Sequence, residues 1–99
     1  YRLHGGVVSA ALDTVGGLAV AVALAEKHPG DSAEEIGHRF ARVGTIDLRV
    51  DYLRPGKGKE FVATGRVIRL GGRIASLQMT LENEAGEMIA TGAGSYVVS

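Results

Sequence analysis

This sequence predicts an α+β fold in which an antiparallel sheet wraps around one long central helix. Three observations carry that expectation. Residues 7–27 read VVSAALDTVGGLAVAVALAEK, an almost unbroken run of small and apolar side chains. From Thr45 onward the apolar period changes to two. Glycine, proline and asparagine breaks then punctuate the second half at spacings suited to hairpins.

The apolar run comes first. At the rise of an α-helix it would be roughly 30 Å long, which is also the thickness of a bilayer core. A membrane span is opposed by Asp13 inside the run, since a mid-membrane carboxylate costs about 3 kcal/mol on insertion scales. Gly16 and Gly17 interrupt the run, and no second span follows. A helix apolar all round is equally one buried within a protein, and no membrane insertion is expected. His28-Pro29-Gly30 supplies the breakers that end it. Ser32-Ala33-Glu34-Glu35 reads as a capping box opening a short polar helix to about Ala41, a surface connector.

The strands follow. Ile46, Leu48, Val50 and Tyr52 alternate with Asp47, Arg49 and Asp51, as in a strand with one buried face. Arg54-Pro55-Gly56 stops it. A second run, Lys59 to Leu70, ends at Gly71-Gly72, a two-residue hairpin signal. Ile74 to Glu82 returns with Ala75, Leu77, Met79 and Leu81 on one face. Residues 83–86 turn the chain again, and Met88 to Val98 makes the last strand, whose Gly92 and Gly94 share a face that another element can approach closely. An apolar helix needs such a sheet to cover it.

Composition narrows the function. Lysine plus arginine balances aspartate plus glutamate at 11 each, so the chain lacks the basic field of nonspecific nucleic-acid binding. Cysteine is absent, which removes disulfides, thiolate metal sites and cysteine nucleophiles and fits a cytoplasmic location. The chain opens Tyr1-Arg2-Leu3 with no methionine, basic n-region or cleavage site, so a signal peptide is not expected and a start inside a longer reading frame is. His28 and His38 show no paired ligand spacing, so no metal is expected.

The chemistry-bearing feature is His4-Gly5-Gly6 followed by Asp13. Two glycines at a helix start leave its first amide N–H groups uncovered, and with the positive end of the helix dipole they suit a developing oxyanion. Asp13 lies in an apolar stretch, where an unpaired carboxylate is either costly or functional. Its helical neighbours Ser9, Ala10, Gly16 and Gly17 are small enough to leave room for a ligand. Eight residues of helix separate Gly5 from Asp13 by about 12 Å, whereas one reacting carbonyl needs both within about 3–3.5 Å. The expected solution is a two-fold dimer in which Gly5 of one subunit meets Asp13 of the other.

Residues 4–13, HGGVVSAALD, resemble the HGG-x6-D signature of the PaaI-like hotdog thioesterases. Residues 44–56, GTIDLRVDYLRPG, resemble the YigI branch of medium- and long-chain acyl-CoA thioesterases, and the likeness covers essentially the whole chain. The resemblance implies a hotdog fold whose N-terminal strands are missing from this chain. It implies a single domain over residues 1–99, hydrolysis of acyl-CoA to free acid and coenzyme A, and dimers or dimers of dimers that join sheets edge to edge. By position, Asp13 matches the catalytic carboxylate, as general base or nucleophile. Gly5 matches the amide that polarises the thioester carbonyl, Gly6 stands beside it, and His4 shapes that loop. Relatives carry an Asn or Gln several residues before the HGG, and some carry Thr or Ser one turn after the carboxylate, where Gly17 stands here. No cofactor is implied, because coenzyme A is part of the substrate.

Arg54, Lys57 and Lys59 surround Pro55-Gly56 and Gly58, and Gly72 and Arg73, with Arg69, mark the next hairpin. They read either as solvated edge charges or as the group that receives the coenzyme A phosphates. Two further functions stand beside hydrolysis: a hotdog hydratase, which pairs a His with the carboxylate in a different pattern, and a non-catalytic acyl-thioester-binding module.

Overall fold

The apolar run and the alternating half condense into eight elements. In chain order they are β1 (Arg2–Leu3), α1 (Gly5–Lys27), α2 (Ala33–Phe40), β2 (Gly44–Tyr52), β3 (Gly56–Lys57), β4 (Phe61–Leu70), β5 (Ile74–Asn83) and β6 (Met88–Val97). The structure is a computed structural model that describes residues 2–99, and Tyr1, the first residue of the expected internal start, lies outside them.

Helix α1 begins at Gly5, after an extended His4 whose side chain makes no cap. It buries Val8, Leu12, Gly16, Val20 and Leu24, one stripe at a spacing of four. The expectation of burial all round is corrected by this stripe, because one sheet can cover only one side of a helix. Leu18 and Val22 remain 56% and 57% exposed on the other side. By length and composition α1 would also cross a bilayer, yet its stripe lies on the sheet.

Helix α2 is the expected surface connector. The Ser32 hydroxyl accepts from Glu35 N–H at 3.1 Å, and Glu35 Oε1 accepts from Ser32 N–H at 3.0 Å, completing the capping box. An Arg39–Asp31 pair at 2.6 Å ties the helix to its entry loop. Ser32→Ala is expected to cost about 1 kcal/mol, read as a lower thermal midpoint with unchanged activity.

The main sheet is antiparallel with strand order β2-β6-β5-β4. The hairpins β4–β5 and β5–β6 match the alternation and the turn signals, and Gly86, at φ 77°, closes the second with its N–H on the Asn83 carbonyl at 3.0 Å. Strands β2 and β4 occupy opposite edges instead of forming a hairpin. The segment between them carries β3, which pairs with β1 as Arg2↔Lys57 and Leu3↔Gly56. The first hairpin also differs in detail. Gly71 N–H donates to Ile74 O at 2.9 Å, so Gly72 and Arg73 are the central residues, and neither has positive φ. The bulge between Val67 and Arg69 adds one residue to β4 and carries the turn centre half a place along, to between Gly72 and Arg73.

Beneath α1 the sheet face is Ala75, Leu77, Met79 and Leu81 of β5, each at most 2% exposed. Glycines let the helix sit close. A Cβ at Gly65 would stand 2.8 Å from the Val15 carbonyl oxygen, and one at Gly92 would stand 3.2 Å from Leu12 Cδ1.

Strand β2 departs from simple alternation in a way that matters for the site. Its pairing with β6 shifts between Thr45 and Asp47, so Ile46 is the extra residue of a bulge. Leu48 and Val50 pack on the core as expected, but Ile46 and Tyr52 are 56% and 55% exposed. A one-residue bulge reverses the facing of everything before it. Thr45, on the solvent side in strict alternation, faces α1 instead.

Candidate active site

Asp13 follows the fully buried Leu12 on α1 and stands half-buried at the flank of the helix stripe. Two hydroxyls converge on one of its oxygens. Thr45 Oγ1 donates to Oδ1 at 2.7 Å, from the bulged end of β2. The Tyr96 hydroxyl, from β6, lies 2.9 Å from the same Oδ1 and 3.0 Å from the Asp13 carbonyl oxygen. Tyr96 is 2% exposed. Burial, and then the hydrogen bond to Asp13 and its negative charge, push this phenol above its ordinary range, so it stays a donor at any physiological pH. Oδ2 takes no hydrogen bond from the described residues.

The room expected around Asp13 is half present. At Gly16 the space is already taken, because a Cβ there would stand 2.9 Å from Tyr96 Cζ. At Gly17 nothing lies within 4 Å. Gly17 opens on a cleft of about 270 Å³ that Asp13 and Thr45 line together with Leu18, Phe40 and Val43. An open carboxylate oxygen at the edge of an apolar cleft is the arrangement that general-base or nucleophilic attack on an ester requires.

The helix start forms a second cleft, of about 340 Å³, lined by Arg2, Gly5, Tyr52 and Arg54 among others. Gly5 and Gly6 occupy the first helical positions, whose N–H groups have no intrahelical acceptor, and Gly6 has no atom near its missing Cβ. Val7 and Val8 both donate to His4 O, at 3.0 and 3.1 Å, which leaves the two glycine amides as the uncovered donors. Tyr52 braces this end. Its hydroxyl donates to Gly5 O at 3.0 Å and touches the Ser9 hydroxyl, which also donates to Gly5 O at 3.0 Å.

One chain therefore does not unite the predicted constellation. Tyr52 pairs with Ala90 and Thr45 with Tyr96. With the bulge residue set aside, these strand positions are six ladder steps apart, roughly 20 Å, while Gly5 and Asp13 are about 12 Å apart along α1. His4, Gly5 and Gly6 stand at one end of the sheet and Asp13 toward the other. The basic residues divide in the same way. Arg54, Lys57 and Lys59 lie at the Gly5 end, whereas Gly72 and Arg73 follow Leu70, whose ladder runs through Ala75 and Tyr96 to Thr45 at the Asp13 end. Arg54 Nη1 donates to Met88 O at 2.8 Å. The Glu84 carboxylate accepts from Lys59 N–H at 3.1 and 3.2 Å, and its pKa is lowered by backbone hydrogen bonds, its own amide first, and by the Lys59 charge. Among the described residues no cluster of three or more His, Cys, Asp or Glu side chains could hold a metal ion.

Thr45 and Tyr96 are site residues that strand periodicity did not single out, and Tyr52, placed by that periodicity on the buried face, had no role at the site from it. No local signal would have found Thr45, because Ile46 continues the alternation of Leu48 and Val50 and the bulge shows only in the pairing with β6.

The profile of the thioesterase superfamily matches residues 2–90. The chain belongs to that superfamily. It is 44% identical over 96 residues to the Escherichia coli K12 protein named medium/long-chain acyl-CoA thioesterase YigI, covering 97% of this chain and 62% of that one. A Shewanella oneidensis crystal structure related to the thioesterase superfamily superposes with a TM-score of 0.93 at 48% identity, covering 99% of this chain and 64% of the other. A thioesterase candidate from Syntrophus aciditrophicus SB superposes with a TM-score of 0.89 at 42% identity, covering 96% and 62%. This superfamily chain thus spans less than two thirds of the length of these relatives. Its sheet and packed helix are the hotdog architecture that the motif resemblance implied.

Proposed function

We propose that the protein is an acyl-CoA thioesterase acting on medium or long acyl chains, with Asp13 as the reacting carboxylate. The observation that carries this reading is the Asp13 carboxylate itself: one oxygen is tied by two hydroxyls, and the other is open beside a cleft walled by Leu18, Phe40 and Val43. The name and 44% identity of the Escherichia coli relative supply the substrate class.

Two routes fit. As a base, Asp13 takes a proton from water, the hydroxide adds to the thioester carbonyl, and collapse breaks the C–S bond, with coenzyme A leaving as the thiol once its sulfur is protonated. As a nucleophile, the carboxylate adds directly, expels the thiolate and leaves a mixed anhydride for water to cleave. Single-turnover hydrolysis in ¹⁸O water separates them, since label in the Asp13 carboxylate rules out the simple base route.

Either route builds negative charge on the thioester oxygen. The Gly5 and Gly6 amides serve it from a partner subunit, in a two-fold dimer that sets the Gly5 cleft of one chain against the Asp13 cleft of the other. Three features support this: the clefts are separate within one chain, α1 keeps an exposed apolar side, and β2 is an edge strand. The same dimer would bring Arg54 and Lys57 of one chain toward Gly72 and Arg73 of the other, gathering the split basic residues around the coenzyme A phosphates.

The test is free-thiol release by the full-length protein across a series of acyl-CoA lengths. Binding without thiol release would leave a non-catalytic acyl-thioester module. Lys57→Glu and Lys59→Glu are expected to raise KM for acyl-CoA, Lys57→Glu by about fivefold for an exposed contact near 1 kcal/mol. Equal effects on a short thioester lacking the nucleotide would remove the phosphate role.

A further inference from the structure

We propose that Tyr96 is a positioning residue for Asp13, locking the carboxylate so that Oδ2 alone is the oxygen that meets water or the thioester. The inference rests on the reading of Asp13 as the reacting group and adds the identity of the reacting oxygen and of the residue that selects it.

An aspartate free to turn about its terminal torsion presents either oxygen, since that torsion is broad and two-fold. Asp13 is not free to turn. Thr45 Oγ1 at 2.7 Å and the Tyr96 hydroxyl at 2.9 Å reach Oδ1 from two different strands, so any turn short of the half-rotation that exchanges the two equivalent oxygens would break both bonds. Tyr96 also holds the backbone at the same residue, with its hydroxyl 3.0 Å from the Asp13 carbonyl oxygen. The single hydroxyl proton is shared between the side-chain and main-chain oxygens of Asp13.

The sequence makes room for this grip. The Tyr96 ring fills the notch at Gly16, one turn beyond Asp13, where any Cβ would collide with it, and Gly94 spares the ring a second collision at 2.9 Å. Because the ring fills the Gly16 side, the cleft that Asp13 lines opens on the Gly17 side. Holding the attacking atom in one orientation removes rotational freedom that would otherwise be lost on the way to the transition state.

The hydroxyl faces Asp13 from α1 and the uncharged Thr45 from β2, while its ladder partner on β5 is the uncharged Ala75. Among the described residues Asp13 is the one charge that acts on it.

The experiment compares kcat, KM and thermal midpoint for wild-type, Tyr96→Phe and Asp13→Asn forms of the full-length protein. Tyr96→Phe keeps the ring in the Gly16 notch and is expected to lower kcat at least about tenfold while KM stays within about twofold, the split of a group that acts only on attack. An unchanged kcat beside an inactive Asp13→Asn overturns the role of Tyr96 and leaves Asp13 standing, and so does a raised KM with kcat retained. Full turnover by Asp13→Asn instead removes the reading beneath both. Should Tyr96→Phe not fold, replacement of Tyr96 by its 3,5-difluoro analogue keeps the shape and makes the phenol more acidic. Loss of kcat should then set in at lower alkaline pH than in the wild type, and coincident pH profiles would refute the assignment.

Discussion

Asp13→Asn is expected to lower kcat by about 10²–10⁴-fold while the fold and KM for acyl-CoA hold. The hydrogen bonds make this substitution unusually clean. Both Thr45 and Tyr96 donate to Oδ1, so an asparagine would set its carbonyl oxygen at that position and keep both bonds. The amide NH₂ then falls where Oδ2 stood. It has no lone pair free to take a proton or to attack a carbonyl, so chemistry stops while packing continues. Steady-state thiol release with a thermal melt of the same sample reads both parts. Activity within tenfold of wild type, at an unchanged midpoint, would count against any direct role for Asp13.

Leu12→Ala is expected to have the largest effect on stability. Leu12 has no exposed surface, and its Cδ1 is the atom that approaches Gly92 across the helix–sheet interface. Removing a fully buried leucine side chain costs about 3–5 kcal/mol, transfer and cavity together. A domain of this size has only about 5–15 kcal/mol in total. At roughly 4–8 °C per kcal/mol, the thermal midpoint should fall by about 12 °C or more. On β6 the helix meets glycine there, so that strand offers no side chain to fill the gap, and the nearby Met79 methyl is the group that could move toward it. Circular dichroism on heating measures it, and a shift of only a few degrees would mean that helix and sheet are less tightly coupled than their contact implies.

Much of the fold was legible because local signals agreed with one another. The run from Val7, the capping box at Ser32, the alternation of Ala75, Leu77, Met79 and Leu81, and the turn at residues 83–86 all form as read. Each depends on neighbours within a few positions. The placement of β2 and β4 on opposite edges was not legible, since strand order is set by long-range pairing that no local period encodes. The pairing of β1 with β3 was hidden too, because two-residue strands leave no periodicity to read.

The site divides along the same line. By itself the sequence determined that His4, Gly5 and Gly6 open a helix, that Asp13 lies about two turns along it, and that helix rise keeps the two apart. Only the tertiary structure decided what surrounds the carboxylate. One extra residue in β2 turns Thr45 toward Asp13, and a tyrosine 83 positions away fills the notch at Gly16. Neither could be read beforehand, because a bulge and a cross-element hydrogen bond exist only once distant strands have chosen their register.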